Sequence, residues 1–460
     1  MRLKYTPLLA ALIIAAPAIS QAVESAAPGD RSSLPLIPLS AAAKAPAPEL
    51  ASSSKHASKV AAASEDAFRE TDVWNRIRSG YAIPDLNNSL VAKNTNWYVE
   101  RPDYMARASA RASLYLFHVV SELEKRNMPT ELALLPFVES AFNPTAVSSA
   151  NAGGMWQFMP GTGRDFNLKQ NAFRDERRSV LASTDAALTY LQRLYDMFGD
   201  WQLALAAYNW GEGSVQKAIA KNRAAGKPTD FEGLADLMPA ETRNYVPKLQ
   251  ALKNVVANPA RYSQTLPLIQ NEPYFTAVDK TSDIDLTIAA QLAELSVDEF
   301  KALNPQFKRP VITGNDQTQI LLPKENAEKF HLNLAQFGRA LSTWTTHKVT
   351  GARESIASLA SKFRTTPDVI RQANNIPSRG MLKAGSTILV PKLSTSANLD
   401  IPVEVAENAT VAVDTNEPVT RRSNYRQAKA SADSSKSPIK LVKARVSRAD
   451  AGKSRRRTHN

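Results

Sequence analysis

The spacing of apolar residues predicts a helical region in the first half of the chain. Between residues 67 and 265 apolar residues recur every three or four positions, which is the period of a helix with one buried face. Hardly any stretch of this region alternates between apolar and polar residues, as a half-buried strand would. The pattern therefore predicts a mainly α-helical domain.

Three of the helices can be placed from their apolar residues and end signals. Ala106–Lys125 is expected to form one long helix. Ser183–Asp185 is expected to cap a second helix, which Gly199 ends. A third is expected over Trp201–Asn209, ended by Gly211.

A weak internal repeat follows residue 273. Ala289–Asn304 and Leu359–Asn374 have similar sequences at an offset of seventy residues. Each is followed by an apolar run that ends in proline, Ile320–Pro323 in the first copy and Ile388–Pro391 in the second. Each copy is expected to contain two short helices and then a strand, with an earlier strand at His347–Val349 in the second copy.

The second copy, His347–Leu393, resembles a LysM module, a small βααβ unit that binds glycans containing N-acetylglucosamine. The resemblance rests on the His-Lys-Val opening, on Asn374–Asn375 and on Leu382–Pro391. Where this family usually has Gly-Asp-Thr-Leu, the chain has Gly351–Ser355, which keeps the glycine and lacks the aspartate. The first copy is more degenerate and lacks that opening. The resemblance implies sugar binding by the second copy, and either sugar binding or a role as a packing spacer for the first.

The N-terminal 66 residues have the composition of segments that precede a folded body. Residues 1–22 combine a basic start, an apolar run and small residues near Ala22, so they are expected to be a signal peptide cleaved after Ala22. A transmembrane anchor is the alternative, but the run is shorter than the roughly 20 residues of a span and Pro17 interrupts it. Residues 23–66, rich in Ala, Ser, Pro and Lys, are expected to be a disordered linker.

Composition excludes several kinds of site. The chain of 460 residues has no cysteine and five histidines, and no two histidines stand at a spacing typical of metal ligands. Disulfides, thiol nucleophiles, thiolate metal sites and a lipoprotein cysteine are therefore excluded. Neither a metal nor another cofactor is expected.

The net charge of +13 is concentrated near the C-terminus. Residues 421–460 carry thirteen Lys or Arg and two Asp, a net charge of +11. Residues 394–460 are therefore expected to form a basic disordered tail. Because an exported protein is separated from DNA and RNA, nucleic acid is not an expected partner. Anionic envelope surfaces are the expected one, and a tail that merely aids solubility is the alternative.

One carboxylate has surroundings suited to proton transfer. Glu139 follows an apolar helix end, and Asn143–Pro144 stops the helix soon after it. Phe137, Val138 and Phe142 flank the carboxyl group, and removal from water disfavours its charged form. The sequence predicts a pKa above the usual value of about 4.3, toward the range of a proton donor. A solvated glutamate at a helix end is the alternative.

Four motifs in order extend this interpretation. They are Glu139–Ser140, Gly153–Phe158, Ala207–Asn209 and Tyr245. Together they resemble the family 1 lytic transglycosylases of the goose-type lysozyme-like superfamily, whose motifs are Glu-Ser, Gly-Leu-Met-Gln, Ala-Tyr-Asn and a late Tyr. Met155–Trp156 departs from Leu-Met, which is expected to alter the wall that faces the sugar and to leave the acid unchanged.

The resemblance implies a mainly α fold with a defined domain order. A lysozyme-like α-helical catalytic domain is expected at residues 67–265, followed by small α+β LysM modules of βααβ type. A degenerate LysM-like module is expected at 279–332 and a LysM module at 345–393. The protein is expected to be periplasmic, soluble or peripherally bound to the envelope, and not a lipoprotein.

The resemblance also assigns roles to nine residues. Three are expected to be catalytic: Glu139, Ser148 and Tyr245. Six are expected to bind substrate: Ser140, Gly154, Trp156, Gln157, Tyr208 and Asn209. A surface serine and a core tyrosine are the alternatives for Ser148 and Tyr245. Because most aromatic residues of a helical domain belong to its core, about half of those near the motifs are expected to touch glycan.

The reaction implied by the resemblance is cleavage of peptidoglycan glycan strands. Glu139 protonates the leaving glycosidic oxygen and then, as carboxylate, takes the proton from the muramic acid C6 hydroxyl as that hydroxyl attacks C1. The product is a 1,6-anhydro sugar. A hydrolytic lysozyme-type muramidase, with Glu212 as second acid, and a non-catalytic peptidoglycan-binding protein are the alternatives.

Overall fold

The structure, a computed structural model, describes residues 71–280, 282–314, 318–351, 354–393 and 399–415. The expected signal peptide, the whole of the expected linker and the basic segment 421–460 lie outside the described residues. No helix within the described ranges is long and apolar enough to cross a bilayer.

The first part of the described chain is a helical domain around one apolar core, as predicted. Its helices are α1 (Val73–Ser79), α2 (Ser89–Val99), α3 (Pro102–Ala112), α4 (Leu116–Lys125), α5 (Leu135–Ser140), α6 (Pro160–Asp165), α7 (Val180–Phe198), α8 (Trp201–Trp210), α9 (Glu212–Ala224) and α10 (Ala240–Ala257). Helix α10 packs along α2 and α8. Trp74, Phe137 and Phe142 are fully buried in the core.

Two helix predictions were wrong in detail. The expected helix over 106–125 is interrupted between α3 and α4 by a turn that directs the Tyr115 hydroxyl to the Ala302 carbonyl oxygen, 2.7 Å away. Helix α7 begins earlier than expected because Ser179 caps it by accepting a hydrogen bond from the Ala182 N–H at 3.3 Å. Asp185 therefore lies inside α7, where it forms an ion pair with Arg126 instead of a cap.

Both copies of the repeat form the predicted βααβ unit. The first contains β1 (Phe275–Asp279), β2 (Ile284–Asp285), α11 (Leu286–Leu292), α12 (Val297–Leu303), β3 (Val311–Ile312) and β4 (Gln319–Pro323), and α13 (Lys324–Gln336) follows it. The second contains β5 (Trp344–Lys348), α14 (Ile356–Lys362), α15 (Pro367–Asn374), β6 (Gly380–Leu382) and β7 (Thr387–Pro391). Antiparallel pairs join β1 to β4 and β5 to β7. Strand β1 begins before residue 279, where the first module was expected to start.

A buried asparagine makes the same contacts in each copy. Asn304 donates to the Leu321 carbonyl oxygen at 2.7 Å and accepts from the Leu321 N–H at 2.8 Å. Asn374 makes the equivalent bonds with Leu389 at 2.8 and 2.7 Å. The bonds satisfy a buried amide and fix the last strand to the second helix of each unit. The repeat seen in the sequence is therefore a structural repeat.

Part of the expected disordered tail is folded. Residues 399–415, here called the C-terminal strap, contain α16 (Val403–Glu407) and β8 (Val413–Thr415), and β8 pairs with β6. Ile401 and Ala409 of the strap belong to an apolar cluster with Phe173 of the helical domain and Leu389 of the second module. The prediction failed here because isolated apolar residues in a polar segment find partners far away in the sequence.

Candidate active site

Glu139 lies at the end of a short helix that is terminated abruptly. It is the penultimate residue of α5, and Ala141 and Phe142 follow in left-handed conformations with φ of 51° and 57°. The Phe142 N–H donates to the Pro136 carbonyl oxygen at 2.9 Å, and the Phe142 ring is fully buried. Left-handed backbone is costly for residues other than glycine, so this turn is held by its packing. It fixes the direction in which the acid points.

Burial and hydrogen bonding compete at the Glu139 carboxyl group. The residue keeps only a partial opening to solvent, and burial raises its pKa to about 7. The Tyr245 hydroxyl donates a hydrogen bond to Oε1, which opposes the rise. The negative charge of Glu241 adds to the rise and the positive charge of Lys248 opposes it. The raised pKa expected from the flanking apolar residues is confirmed, and the group can both give and take a proton near neutral pH.

The loop Gly153–Phe158 packs beside the acid. It is closed by two backbone bonds between Gly153 and Phe158, at 2.9 and 3.0 Å. The Ser140 hydroxyl donates to the Met155 carbonyl oxygen at 3.0 Å and so joins the loop to the helix that carries Glu139. Because this hydroxyl is used within the protein, a positioning role for Ser140 fits the geometry. Its contact with substrate stays a prediction.

A buried arginine, Arg177, holds the same loop in place. Arg177 forms hydrogen bonds with both carboxylate oxygens of Asp175, at 2.9 and 2.8 Å. Its guanidinium also donates to the carbonyl oxygens of Asn151 and Phe158, at 2.7 and 3.2 Å. Arg177 could not be singled out from the sequence, because an Asp-x-Arg spacing alone does not reveal which loop the arginine supports.

Gly154 gives the loop its shape. It is buried, with φ of 83°, and its N–H donates to the Ala146 carbonyl oxygen at 3.0 Å. A Cβ atom at this position would lie 1.8 Å from the Arg177 carbonyl oxygen. Backbone from another segment covers the residue, and its predicted contact with glycan stays a prediction.

Trp156 is also buried, which contradicts its predicted place in the sugar-binding wall. Its side chain is fully enclosed, and its indole N–H donates to the Thr184 hydroxyl oxygen at 3.1 Å. The Tyr208 hydroxyl donates to the Trp156 carbonyl oxygen at 2.9 Å. Tyr208 is itself only half-buried, so its ring can still contact a ligand. Thr184 was missed because its segment was interpreted as a helix cap.

Two amide side chains reach the partly exposed surface of the site. Gln157 adopts a left-handed conformation with φ of 51°, and its Nε2 donates to the Gly154 carbonyl oxygen at 2.7 Å. Asn209 accepts a hydrogen bond from the Thr242 hydroxyl at 2.7 Å, which ties the end of α8 to the helix that carries Tyr245. Both remain candidates for contacts with N-acetyl groups.

Ser148 and Glu212 are occupied by other contacts. Ser148 is exposed, its Oγ accepts from the Ala152 N–H at 3.0 Å, and no hydrogen bond among the described residues joins it to Glu139. Its catalytic role stays a prediction. Glu212 accepts from the Tyr190 hydroxyl at 2.8 Å and lies 3.7 Å from Arg193. Hydrogen bonds, the first from its own backbone N–H, hold the pKa of Glu212 below its ordinary value.

Three family models match the chain in the order expected. The transglycosylase SLT domain matches residues 120–231, the LysM-like domain of lytic transglycosylase MltD matches 274–339, and the LysM domain matches 351–391. The second range begins at β1, in agreement with the structure.

Curated relatives and solved structures that are named lytic transglycosylases also match the chain. The chain is 36% identical over 341 residues to membrane-bound lytic murein transglycosylase D of Escherichia coli, with 71% of this chain and 74% of that protein covered. It is 33% identical over 130 residues to soluble lytic murein transglycosylase of Salmonella typhimurium, with 27% and 19% covered. An inactive mutant of lytic transglycosylase Slt from Pseudomonas aeruginosa matches with a TM-score of 0.25 and 24% identity, over 33% of this chain and 25% of that one. On the extent of the first of these similarities, the chain belongs to the lytic murein transglycosylase D family.

Proposed function

We propose that this protein is a peptidoglycan lytic transglycosylase that cleaves the β-1,4 bond between N-acetylmuramic acid and N-acetylglucosamine. One observation carries the proposal: Glu139, largely removed from water, has a pKa of about 7 and accepts a hydrogen bond from Tyr245. A carboxyl group poised near neutral pH can serve as general acid in one half of a reaction and as general base in the other.

The chemistry needs one such group. Protonated Glu139 donates its proton to the glycosidic oxygen as the bond to C1 breaks. The resulting carboxylate then takes the proton of the muramic acid C6 hydroxyl while that oxygen bonds to C1, and a 1,6-anhydro end forms. The Tyr245 hydroxyl stabilises the carboxylate between the two transfers, because hydrogen bonds to a charged acceptor are stronger than those to a neutral one.

Product analysis tests the reaction. Sacculi digested with the full chain are expected to yield anhydro-muropeptides by mass spectrometry, and Glu139→Gln should yield none while still binding sacculi. Glu100→Gln is the matched control, because Glu100 is an exposed glutamate of the same domain. Products with only reducing ends would support a hydrolytic muramidase, with Glu212 as candidate base. An unchanged digest with Glu139→Gln would contradict catalysis by this residue.

We also propose an extracytoplasmic location for the enzyme. Support comes from the N-terminal sequence, typical of a cleaved signal peptide, and from the net charge of +11 on residues 421–460. This segment is expected to bind anionic envelope surfaces with an affinity that falls as the Debye length shrinks from about 10 Å at 0.1 M to about 3 Å at 1 M salt. Envelope retention of the full chain and of a chain ending at residue 415, measured across a salt series, tests the proposal. Identical curves would contradict it.

A further inference from the structure

A groove of about 480 Å³ lies between the two repeat modules, and Glu139 is not among the residues that line it. Its size is within the range of roughly 300 to 1,000 Å³ that is usual for ligand sites. Helix α12 and the loop that follows it form one wall, and the start of β5 and helix α15 form the other. The groove therefore exists only because the two modules are held together.

The charges along this groove all have the same sign. Lys301, Lys308 and Arg309 line it, and none of the described residues that line it is Asp or Glu. None of these three cations belongs to an ion pair among the described residues. Like charges close together repel one another, and an anionic ligand would relieve that repulsion.

Arg309 makes the arrangement more than a set of surface lysines. Its side chain is almost fully buried, and its guanidinium donates to the carbonyl oxygens of Ala172 and Ala373, at 2.7 and 3.3 Å. Burying a cation without a carboxylate is costly, so it is usually paired. Burial lowers the pKa of Arg309, and burial followed by the neighbouring Arg309 charge lowers the pKa of Lys308.

Apolar side chains lie beside the cations. The indole ring of Trp344 is half-buried at the groove, and Val297 and Val369 line it on opposite sides. The combination suits a ligand that carries carboxylates and small apolar groups together. In peptidoglycan, the peptide stems have this composition, whereas the sugar backbone between them does not.

We propose that this groove between the modules binds carboxylates of the peptide stems carried by peptidoglycan strands. The inference rests on the proposed function and adds a second point of recognition to it. The modules would then select strands that still carry stems, in addition to any contact with the sugars. The tether to the catalytic domain would raise the local concentration of such strands near Glu139.

Binding to two glycans in the inactive Glu139→Gln chain tests this proposal. One probe is an uncross-linked strand with intact stems. The other is the same strand after an amidase has removed the stems, which leaves the lactyl carboxylates in place. The chain is expected to bind the first several-fold more tightly. Equal affinities would overturn the proposal, because sugars or lactyl groups would then account for binding.

Substitutions in the groove test whether the preference for strands with stems arises there. Lys301→Ala with Lys308→Ala is expected to reduce the preference for stems by about two- to fivefold for each lysine. Lys301→Ala alone is tested in case the double variant misfolds, because Lys301 is exposed and forms no described ion pair. It should lose part of the preference for stems. Lys324→Ala, which removes an exposed lysine outside the groove, should keep the preference. Equal losses in all three variants, or none in the first two, would overturn the proposal.

These outcomes are separable from those of the proposed function. Binding is measured without cleavage, so loss of the stem preference leaves the reaction of the wild type untouched. Absence of anhydro products from the wild type would instead contradict the reaction, whatever the groove binds.

Discussion

The Tyr245 hydroxyl donates a hydrogen bond to the Glu139 carboxyl group, although 106 positions separate the two residues. Tyr245 is almost fully buried in the first half of α10, and Glu139 lies near the end of α5. The bond favours the charged carboxylate, whereas burial favours the neutral acid. The pKa of about 7 is the balance of these opposing effects, and it leaves both forms populated at neutral pH.

Removing this hydroxyl is expected to disturb that balance. In Tyr245→Phe the pKa of Glu139 should rise further, and kcat should fall by about 10- to 100-fold, the range of a lost hydrogen bond to a charged group. A pH–rate profile measures both effects, because the limb on which activity falls with rising pH should move to higher pH.

Tyr115→Phe is the matched control for this change. Tyr115 is also buried and also donates its hydroxyl to an oxygen atom, the Ala302 carbonyl, but it lies outside the site. Its loss should lower stability and leave the pH–rate profile in place. An unshifted profile in Tyr245→Phe would show that the bond does not tune the acid.

Glu139 is expected to make the protein less stable as the pH rises from about 4.5 to about 7. Its pKa is about 7 in the folded protein, against about 4.5 in the unfolded chain, so the folded state holds more protons between these values. The stabilising contribution is complete below pH 4.5 and is lost as the pH rises through 7. Glu139→Gln keeps a neutral side chain. It should therefore gain about 1 to 3 kcal/mol of unfolding free energy over the wild type between pH 4 and pH 8.

Urea unfolding of both proteins at pH 4, 6 and 8 measures this difference. Glu100→Gln, which changes an exposed glutamate, should follow the wild type at every pH. Parallel pH dependences for the wild type and Glu139→Gln would contradict a carboxyl group that is neutral in the folded protein below pH 7.

The raised pKa of Glu139 could be predicted because apolar residues flank it in the sequence, whereas its distant partner Tyr245 was identified only through the motif resemblance. Phe137, Val138 and Phe142 lie within three positions of the acid, so their effect on its pKa needs no knowledge of the tertiary fold. The repeat was predictable for a similar reason. Asn304 and Asn374 occupy equivalent places in two similar segments, and each holds the last strand of its unit.

The sequence could not show whether the Trp156 side chain points into the core or toward the site. Its motif carries no helical or strand period, so nothing in the sequence indicates which side of the loop faces the core. Left-handed conformations at Gly154 and Gln157 decide it, and the partner that fixes the indole is Thr184 in another helix. The C-terminal strap escaped prediction because its few apolar residues pack on segments more than 200 positions away, such as Phe173.

Gly154 is expected to tolerate no larger residue. In Gly154→Ala the new Cβ would meet the Arg177 backbone oxygen, which cannot rotate away, and alanine disfavours the positive φ. A loss of about 2 to 5 kcal/mol, or failure to fold, is expected from overpacking and strain together. Gly161→Ala is the control, because nothing lies within 4 Å of a Cβ at that position. Equal urea midpoints for the two variants would contradict the close approach.

The strap is expected to hold the second module against the helical domain. Ile401 is 3% exposed in the cluster that contains Phe173 and Leu389, whereas Leu399, two residues earlier, is 69% exposed. Ile401→Ala should therefore cost about 2 to 4 kcal/mol, the usual range for truncating a buried isoleucine. Leu399→Ala should change stability by less than about 0.5 kcal/mol.

Limited proteolysis separates loss of docking from general unfolding. If the strap joins the domains, Ile401→Ala should become sensitive to cleavage within residues 399–415 under conditions in which the helical domain stays intact. Leu399→Ala should keep the wild-type pattern, as should a chain that ends at residue 415. Equal protection of the Ile401 and Leu399 variants would mean that the cluster adds nothing to docking. The second module would then be held by other contacts, such as that of Arg309 in the first module with the Ala373 carbonyl oxygen.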